Sequence, residues 1–340
     1  MARFGNISEI VTGNLKFTGS CSFVGGLAGA NSPGKIRYVD GTSGNDASDG
    51  ESWETALVTI QAGVTAAGAR GTVFVAPKEV DSGATDPSSY AETIIIPATH
   101  EGLSLIGVNT GRTQGGLPQI KKGSGTTALL TIRAPNCLIA NIGFNGIWTA
   151  DSTQSIVGIL LDDDGSTKTA CGTTIVGCHF KNCAGSTAST NASAGGAITW
   201  SVNGNAWNVH IVGNRFYKNV GDIVLLGTSG SVPQDVIIED NIFSGPAANV
   251  DCNLYLAGGS GMNGVIIRNN EFTALPAISG AGNDLFCVLT GCVGLLSGNR
   301  FASSGKTFGV AGDNGGTVPA TVFLVDNYQE DGTTQIARTS

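Results

Sequence analysis

From about residue 130 onward the chain alternates aliphatic runs with short polar turns, and one pattern returns again and again. Its copies are Asn141-Ile142-Gly143-Phe144, Val176-Gly177-Cys178-His179-Phe180, Val212-Gly213-Asn214-Arg215-Phe216, Glu239-Asp240-Asn241-Ile242-Phe243, Arg268-Asn269-Asn270-Glu271-Phe272 and Ser297-Gly298-Asn299-Arg300-Phe301, with a last variant at Asp326-Asn327-Tyr328. Apolar alternation leads into each copy, as in Val209-His210-Ile211-Val212, Val236-Ile237-Ile238 and Val265-Ile266-Ile267. Short apolar runs bounded by Gly, Asn and Asp predict β-strands.

The phenylalanines at 144, 180, 216, 243, 272 and 301 are spaced by 36, 36, 27, 29 and 29 residues. A coil of three strands of ~5 residues and three turns of ~4 needs ~27 residues, so the two longer intervals leave room for surface loops around 162–168 and 185–196. A period in this range marks a solenoid, here one filled by strands. The predicted fold is all-β: a right-handed parallel β-helix of about nine coils over residues 71–330, stacked ~4.8 Å apart into a rod ~45 Å long. A sandwich or propeller would show period-2 hairpins with Asn-Gly turns in place of one Asn-x-Phe signature per coil. In the β-helix, Phe180, Phe216, Phe243, Phe272 and Phe301 form an internal stack. Asn214, Asn241, Asn270 and Asn299 sit in left-handed turns with their amides bonding to neighbouring coils.

Upstream, Trp53, Ala56, Leu57, Ile60, Val64 and Ala67 fall on one face of a predicted helix over 52–67, with Ser52 as N-cap and Gly68 closing it. A solenoid exposes apolar edges at its ends, and such a helix would cap the first coil. Strands then start at Gly71–Pro77, followed by Ile94–Pro97 and Leu103–Gly107. This divides the chain into an N-terminal arm (1–35), an opening segment with the capping helix (36–70) and the β-helix (71–340).

The arm has its own pattern. Ile7 and Ile10 precede a strand in which Leu15, Phe17, Gly19, Cys21 and Phe23 alternate with Lys16, Thr18, Ser20 and Ser22, and a glycine-rich linker, Gly25–Gly34, follows. One strand cannot bury its apolar side alone, so Ile7, Ile10, Leu15, Phe17 and Phe23 are candidate attachment residues, pairing with another copy or with a partner protein.

Composition narrows the choice of partners. Among 340 residues there are 51 Gly, which fits many tight turns, and a net charge of −8 with only 18 Lys and Arg and no basic run. No nucleic-acid partner and no insertion into a membrane are expected. The opening Met1-Ala2-Arg3-Phe4-Gly5-Asn6 does not read as a signal peptide, which points to synthesis in a cytoplasm. The eight cysteines lack C-x-x-C spacing, so buried free thiols are expected rather than a metal site.

The run Tyr38-Val39-Asp40, Asp49-Gly50, Ser52-Trp53-Glu54-Thr55-Ala56, Thr59-Ile60-Gln61-Ala62 and Gly71-Thr72-Val73-Phe74-Val75-Ala76-Pro77 resembles the opening segment of pectin-lyase-like right-handed β-helix proteins, many of them phage-encoded. The resemblance extends over residues 36 to about 330. It implies the fold, while the superfamily spans lyases, hydrolases and non-enzymatic virion proteins.

Polysaccharide cleavage requires converging carboxylates, or a calcium cage beside a Lys or Arg base. The best local set is Asp162, Asp164 and Lys181, with Asp163 and Lys168 nearby and Arg215, Lys218 and Asp222 one or two coils away; on a strand only Asp162 and Asp164 would share a face, and a solvated loop accounts for the run. His100, His179 and His210 lack the Gly-His-Gly context of β-helix polygalacturonases. Arg133-Ala134-Pro135 resembles the Arg-x-Pro fragment of pectate lyases, without the calcium-binding acids before it. Trp148, Trp200 and Trp207 would make a sugar platform only if they shared a face. No cofactor or metal is expected.

Two functions therefore stand from the sequence. One is a non-enzymatic phage virion structural protein on the particle surface, a capsid decoration or short spike. It would be attached to capsid or tail proteins through the arm, self-associated as a homotrimer as in comparable virion β-helices, and would contact host surface polysaccharide. The alternative is a polysaccharide depolymerase of tailspike type, a lyase or glycoside hydrolase.

Overall fold

Each aliphatic run pairs with its counterpart in the next repeat, not with its neighbour in sequence: Ile211 lies beside Ile175 on one side and Ile238 on the other. A computed structural model describes residues 34–78, 89–109, 111, 116–122, 128–146, 156–165, 168–185, 195–201, 206–225, 232–244, 252–256, 262–273, 285–302 and 316–329. Contacts divide the chain into Met1–Asn31 and Ser32–Ser340. The arm residues Ile7, Ile10, Leu15, Phe17 and Phe23 lie outside the described residues, as do Cys21 and Trp148.

The second unit is a parallel β-helix. Sheet 1 has ten strands, from Ile36–Val39 to Val322–Val325; sheet 2 has nine, from Ser89–Ala91 to Tyr328–Gln329, and carries the Phe repeat; sheet 3 has eight, from Ile94–Ile96 to Gly316–Thr317. The chain visits sheets 1, 2 and 3 in turn within each coil. From Thr72 onward sheet 1 holds nine strands, the number of coils that the sequence period predicts. Ile36–Val39, placed by the sequence before the β-helix proper, is the first strand of sheet 1 and pairs in register with Thr72–Val75.

Alternation puts one residue in two into the core. Ile175, Ile211, Ile238 and Ile267 line sheet 1 from inside, while Phe144, Phe180, Phe216, Phe243, Phe272 and Phe301 line sheet 2, all buried. Along the phenylalanine column the ring centroids are 4.9, 5.1, 4.8, 4.6 and 4.7 Å apart and the rings lie within 13° of parallel. The strand spacing thus imposes offset stacking on every pair.

The corner between sheets 1 and 2 corrects one expectation. The left-handed residues are Gly213, Asp240, Asn269, Gly298 and Asp326, each the position before the repeated Asn. The asparagines themselves are buried, and each coil hands two hydrogen bonds to the next. Asn214 donates from its backbone N and from Nδ2 to Oδ1 of Asn241; Asn241 does the same to Asn270, Asn270 to Asn299 and Asn299 to Asn327. Each Nδ2 also donates to a strand carbonyl, such as Ile175 O or Ile211 O at 3.0 Å. The left-handed turn and the inter-coil amide are therefore the work of two adjacent residues.

The capping helix is shorter than its apolar periodicity suggests. It spans Ile60–Ala67, with Thr59 as N-cap and Gly68 as C-cap. The start is fixed by two carboxylates from elsewhere: Asp46 accepts from the N–H groups of Val58 and Thr59, and Glu92 from those of Ile60 and Gln61. Ser52 instead closes a turn with Thr55, and Trp53 is 42% exposed. The buried face, Ile60, Gly63, Val64 and Ala67, lies against the first strands of sheet 1. A Cβ at Gly63 would come within 2.6 Å of Val39, so only glycine allows this approach.

Candidate functional surface

With the interior filled by hydrocarbon, chemistry is left to the outer faces and the corners, and the three sheets differ outside. On sheet 1 one outward row reads Tyr38, Phe74, Ile106, Ala140, Val176 and Val212 across consecutive coils. The other outward row turns apolar where the first stops, with Ile237, Ile266, Leu295 and Phe323, the last 72% exposed. The ionisable side chains in these two rows gather at His210, Glu239 and Arg268. His210 Nε2 lies 2.7 Å from Glu239 Oε1, and Arg268 donates to Oε2. The Arg268 hydrogen bond, with His210 adding to it, holds the Glu239 carboxyl below the usual carboxylate range.

Sheet 2 presents the opposite chemistry. Its outward positions run His179, Arg215, Ile242, Glu271 and Arg300 in one row and Lys121, Asn145, Lys181, Tyr217 and Ser244 in the other. Sheet 3 is buried on both sides along much of its length, since the outward-directed Thr131, Thr199 and Val224 are 8%, 0% and 0% exposed.

The corner between sheets 2 and 3 holds Asp222, which the sequence puts one or two coils from the Asp162–Asp164 run and the structure encloses by itself. Asp222 is enclosed, with Asn219 Nδ2 donating to Oδ1 at 2.9 Å and Asn253 Nδ2 to Oδ2 at 2.6 Å. Burial outweighs the two amides and pushes its carboxyl up to about 7. Asn219 also accepts from the Cys183 N–H and donates to Phe180 O. Asn219 stands five residues after Asn214 just as Cys183 stands five after Cys178, so this corner repeats the spacing of the first.

Asp162, Asp164 and Lys181 occupy separate places. Asp162 follows the sheet 3 strand Val157–Leu161 and accepts from Arg133 at 3.0 Å. Asp164 is exposed and its Oδ1 accepts from the Lys168 N–H, while Lys168 Nζ reaches Ala98 O and Glu101. Lys181 ends the strand His179–Lys181 of sheet 2. Sheet 3 separates this corner from Asp162, and five strand residues span ~16 Å, more than the ~5–9.5 Å between the carboxyls of a glycosidase pair. Of the tryptophans, Trp200 points into the core with no exposed surface and Trp207 is 44% exposed at the corner from sheet 3 to sheet 1, so these two share no platform.

Among the described residues no three His, Cys, Asp or Glu side chains are grouped to hold a metal ion. Cys137, Cys178, Cys183, Cys287 and Cys292 are buried, and burial pushes the Cys137, Cys183 and Cys292 thiols up to about 12. No described helix is long and apolar enough to cross a membrane.

Three parallel sheets around one core, with a stacked aromatic column and an asparagine ladder, define a three-sided parallel β-helix. No family model matches the chain, and no curated protein matches it. Among solved structures it is similar to a GH136 lacto-N-biosidase from Eubacterium ramulus, at 11% identity over 87% of this chain and 67% of that one, with a TM-score of 0.41. It is also similar to a rhamnogalacturonan lyase (13% identity, 89% and 90% of the two chains, TM-score 0.40) and to ORF18 of Geobacillus virus E2 (13%, 76% and 53%, TM-score 0.34). The fold assignment rests on the sheets themselves.

Proposed function

We propose that this chain is a structural component of a phage particle, a capsid decoration or short spike that displays its β-helix outward and attaches to other virion proteins through residues 1–35. The observation that supports it best is the state of the described acids. Glycoside hydrolysis needs one carboxyl kept protonated near neutrality and a second within ~5–9.5 Å, both open to substrate. Here Asp222, raised to about 7, is buried with both oxygens occupied, and Glu92, also pushed up by burial, has both oxygens taken by the N–H groups of Ile60 and Gln61, while Glu239 on the open face is held ionised by Arg268 and His210. The alternation of apolar and polar residues over 15–23, followed by a glycine-rich run, gives the attachment its chemistry.

The test has two parts. Protein lacking residues 1–30 should keep the circular dichroism of the full chain but fail to join particles when supplied in place of it. Full-length protein incubated with host capsule or lipopolysaccharide should release neither reducing nor unsaturated sugar ends. Normal incorporation of the truncated protein overturns the attachment role. Release of sugar ends that is lost on Asp164→Asn establishes the depolymerase instead.

A further inference from the structure

We infer that the outer face of sheet 1 packs against the same face of a second copy of this chain. The inference stands on that face and not on where a particle would carry it. Val176, Val212, Ile237, Ile266, Leu295 and Phe323 form an apolar stripe across successive coils, shifting from one outward row to the other between Val212 and Ile237, where the paired His210 and Glu239 cross it. Apolar surface extending over several coils on both sides of that pair marks a contact site.

Three features select a second copy as the occupant. The first is pitch. Side chains repeating at the ~4.8 Å strand spacing interdigitate with rows of the same spacing, which another β-helix provides over the same number of coils. The second is charge. Glu239 is satisfied within its own copy by His210 and Arg268, so the face asks no charged complement of its partner, whereas the Lys, Arg and Glu of sheet 2 would. The third is area. The nine ~4.8 Å intervals between the ten strands, by about four residues at ~3.3 Å, give about 570 Å² per copy, or about 1,100 Å² for a face-to-face pair, which clears the ~1,000 Å² of a specific interface.

The experiment measures the mass of the full-length protein by light scattering and sedimentation equilibrium. The wild type should be a dimer or larger. Val176→Lys with Val212→Lys should weaken self-association roughly a hundredfold or more, because each substitution is felt on both sides of a two-fold contact. Lys181→Glu with Arg215→Glu on sheet 2 should leave the mass unchanged. If the lysine pair disturbs folding, Ile237→Gln with Ile266→Gln tests the same face without introducing charge. A wild type that stays monomeric at high concentration, or face variants that keep the wild-type mass with native circular dichroism, overturns the inference. An oligomer lost only on deletion of residues 1–30 assigns self-association to the arm and also overturns it. Particle attachment is read separately by incorporation, so the two proposals fail independently.

Discussion

Two corners of the β-helix solve one problem by different means. Where sheet 1 turns into sheet 2, five successive coils place an asparagine inside the bend, and each amide satisfies the coil before it. Where sheet 2 turns into sheet 3, one asparagine occupies the equivalent place, Asn219, and its spare amide hydrogen goes to the buried acid Asp222. A neutral donor and acceptor in one side chain can repeat indefinitely, since every copy presents what the next requires. A carboxylate only accepts, so it ends the series and takes on a cost of burial that varies with pH.

The regular corner should be the more fragile to substitution. Asn241→Ala removes the acceptor of two Asn214 donors and the donor to Ile211 O, all in the interior. The expected loss is about 3–5 kcal/mol in denaturant unfolding, because buried groups left without partners each cost ~1–3 kcal/mol. Phe243→Ala, which opens a gap in the column between Phe216 and Phe272, should cost a similar ~3–5 kcal/mol. A cost below ~1 kcal/mol for Asn241→Ala would mean that water replaces the amide and that the ladder is not what distinguishes this corner.

At the acidic corner the expected signature is a slope with pH. Asp222 is raised from an ordinary 3.8 to about 7, so between these values the folded state holds a proton that the unfolded state has lost. Stability therefore falls as pH rises from about 4 to about 7 and levels off above, by at most about 4 kcal/mol. In Asp222→Asn this slope should be missing from the midpoint of urea unfolding measured at pH 5, 6, 7 and 8. An unchanged slope would show that Asp222 stays ionised in the folded protein and that the corners differ only in composition.

The contrast also explains what could be read in advance. The Phe column and the coil number were legible because a repeat displays one decision several times, as at Phe216, Phe243 and Phe272. The left-handed position was legible too but was assigned one residue late: Gly213, Asp240, Asn269, Gly298 and Asp326 are all types that accept a positive φ, whereas the following Asn was chosen for its amide. The helix start was not legible, since Trp53, Ala56 and Leu57 continue the apolar period while Asp46 and Glu92, distant in sequence, decide where hydrogen bonding begins. Asp222 stands in Gly221-Asp222-Ile223-Val224-Leu225, a plain strand pattern whose outer side is buried by tertiary structure that no local window contains. For the candidate site, alternation in Val236-Ile237-Ile238 accounts for the core residues Val236 and Ile238 and assigns nothing to the outward Ile237, while the proximity of Asp162 and Lys181 in sequence said nothing about the strand width between them.

The smallest expected effect lies at the rung where the two corners look alike. Cys178 precedes Asn214 in the ladder as Cys183 precedes Asn219, and both cysteine N–H groups donate to the asparagine of the next coil at 2.9 Å. Cys178 Sγ already sits 3.7 Å from Ile139 O, the carbonyl that the ladder's rule assigns to an Nδ2 at this rung. Cys178→Asn should therefore extend the regular ladder by one coil, with the new amide donating to Ile139 O and to Asn214 Oδ1. The volume change is small, so a gain of about 1 kcal/mol in thermal or urea unfolding is expected. Cys183→Asn at the other corner should gain less, because the row it would join ends at Asp222 after one asparagine, so the added amide extends no repeating series. Equal gains at both positions would erase the distinction between a repeating and a terminated ladder, and a loss of ~1 kcal/mol or more at Cys178 would show that the ladder is fixed at its first rung by packing rather than by hydrogen bonding.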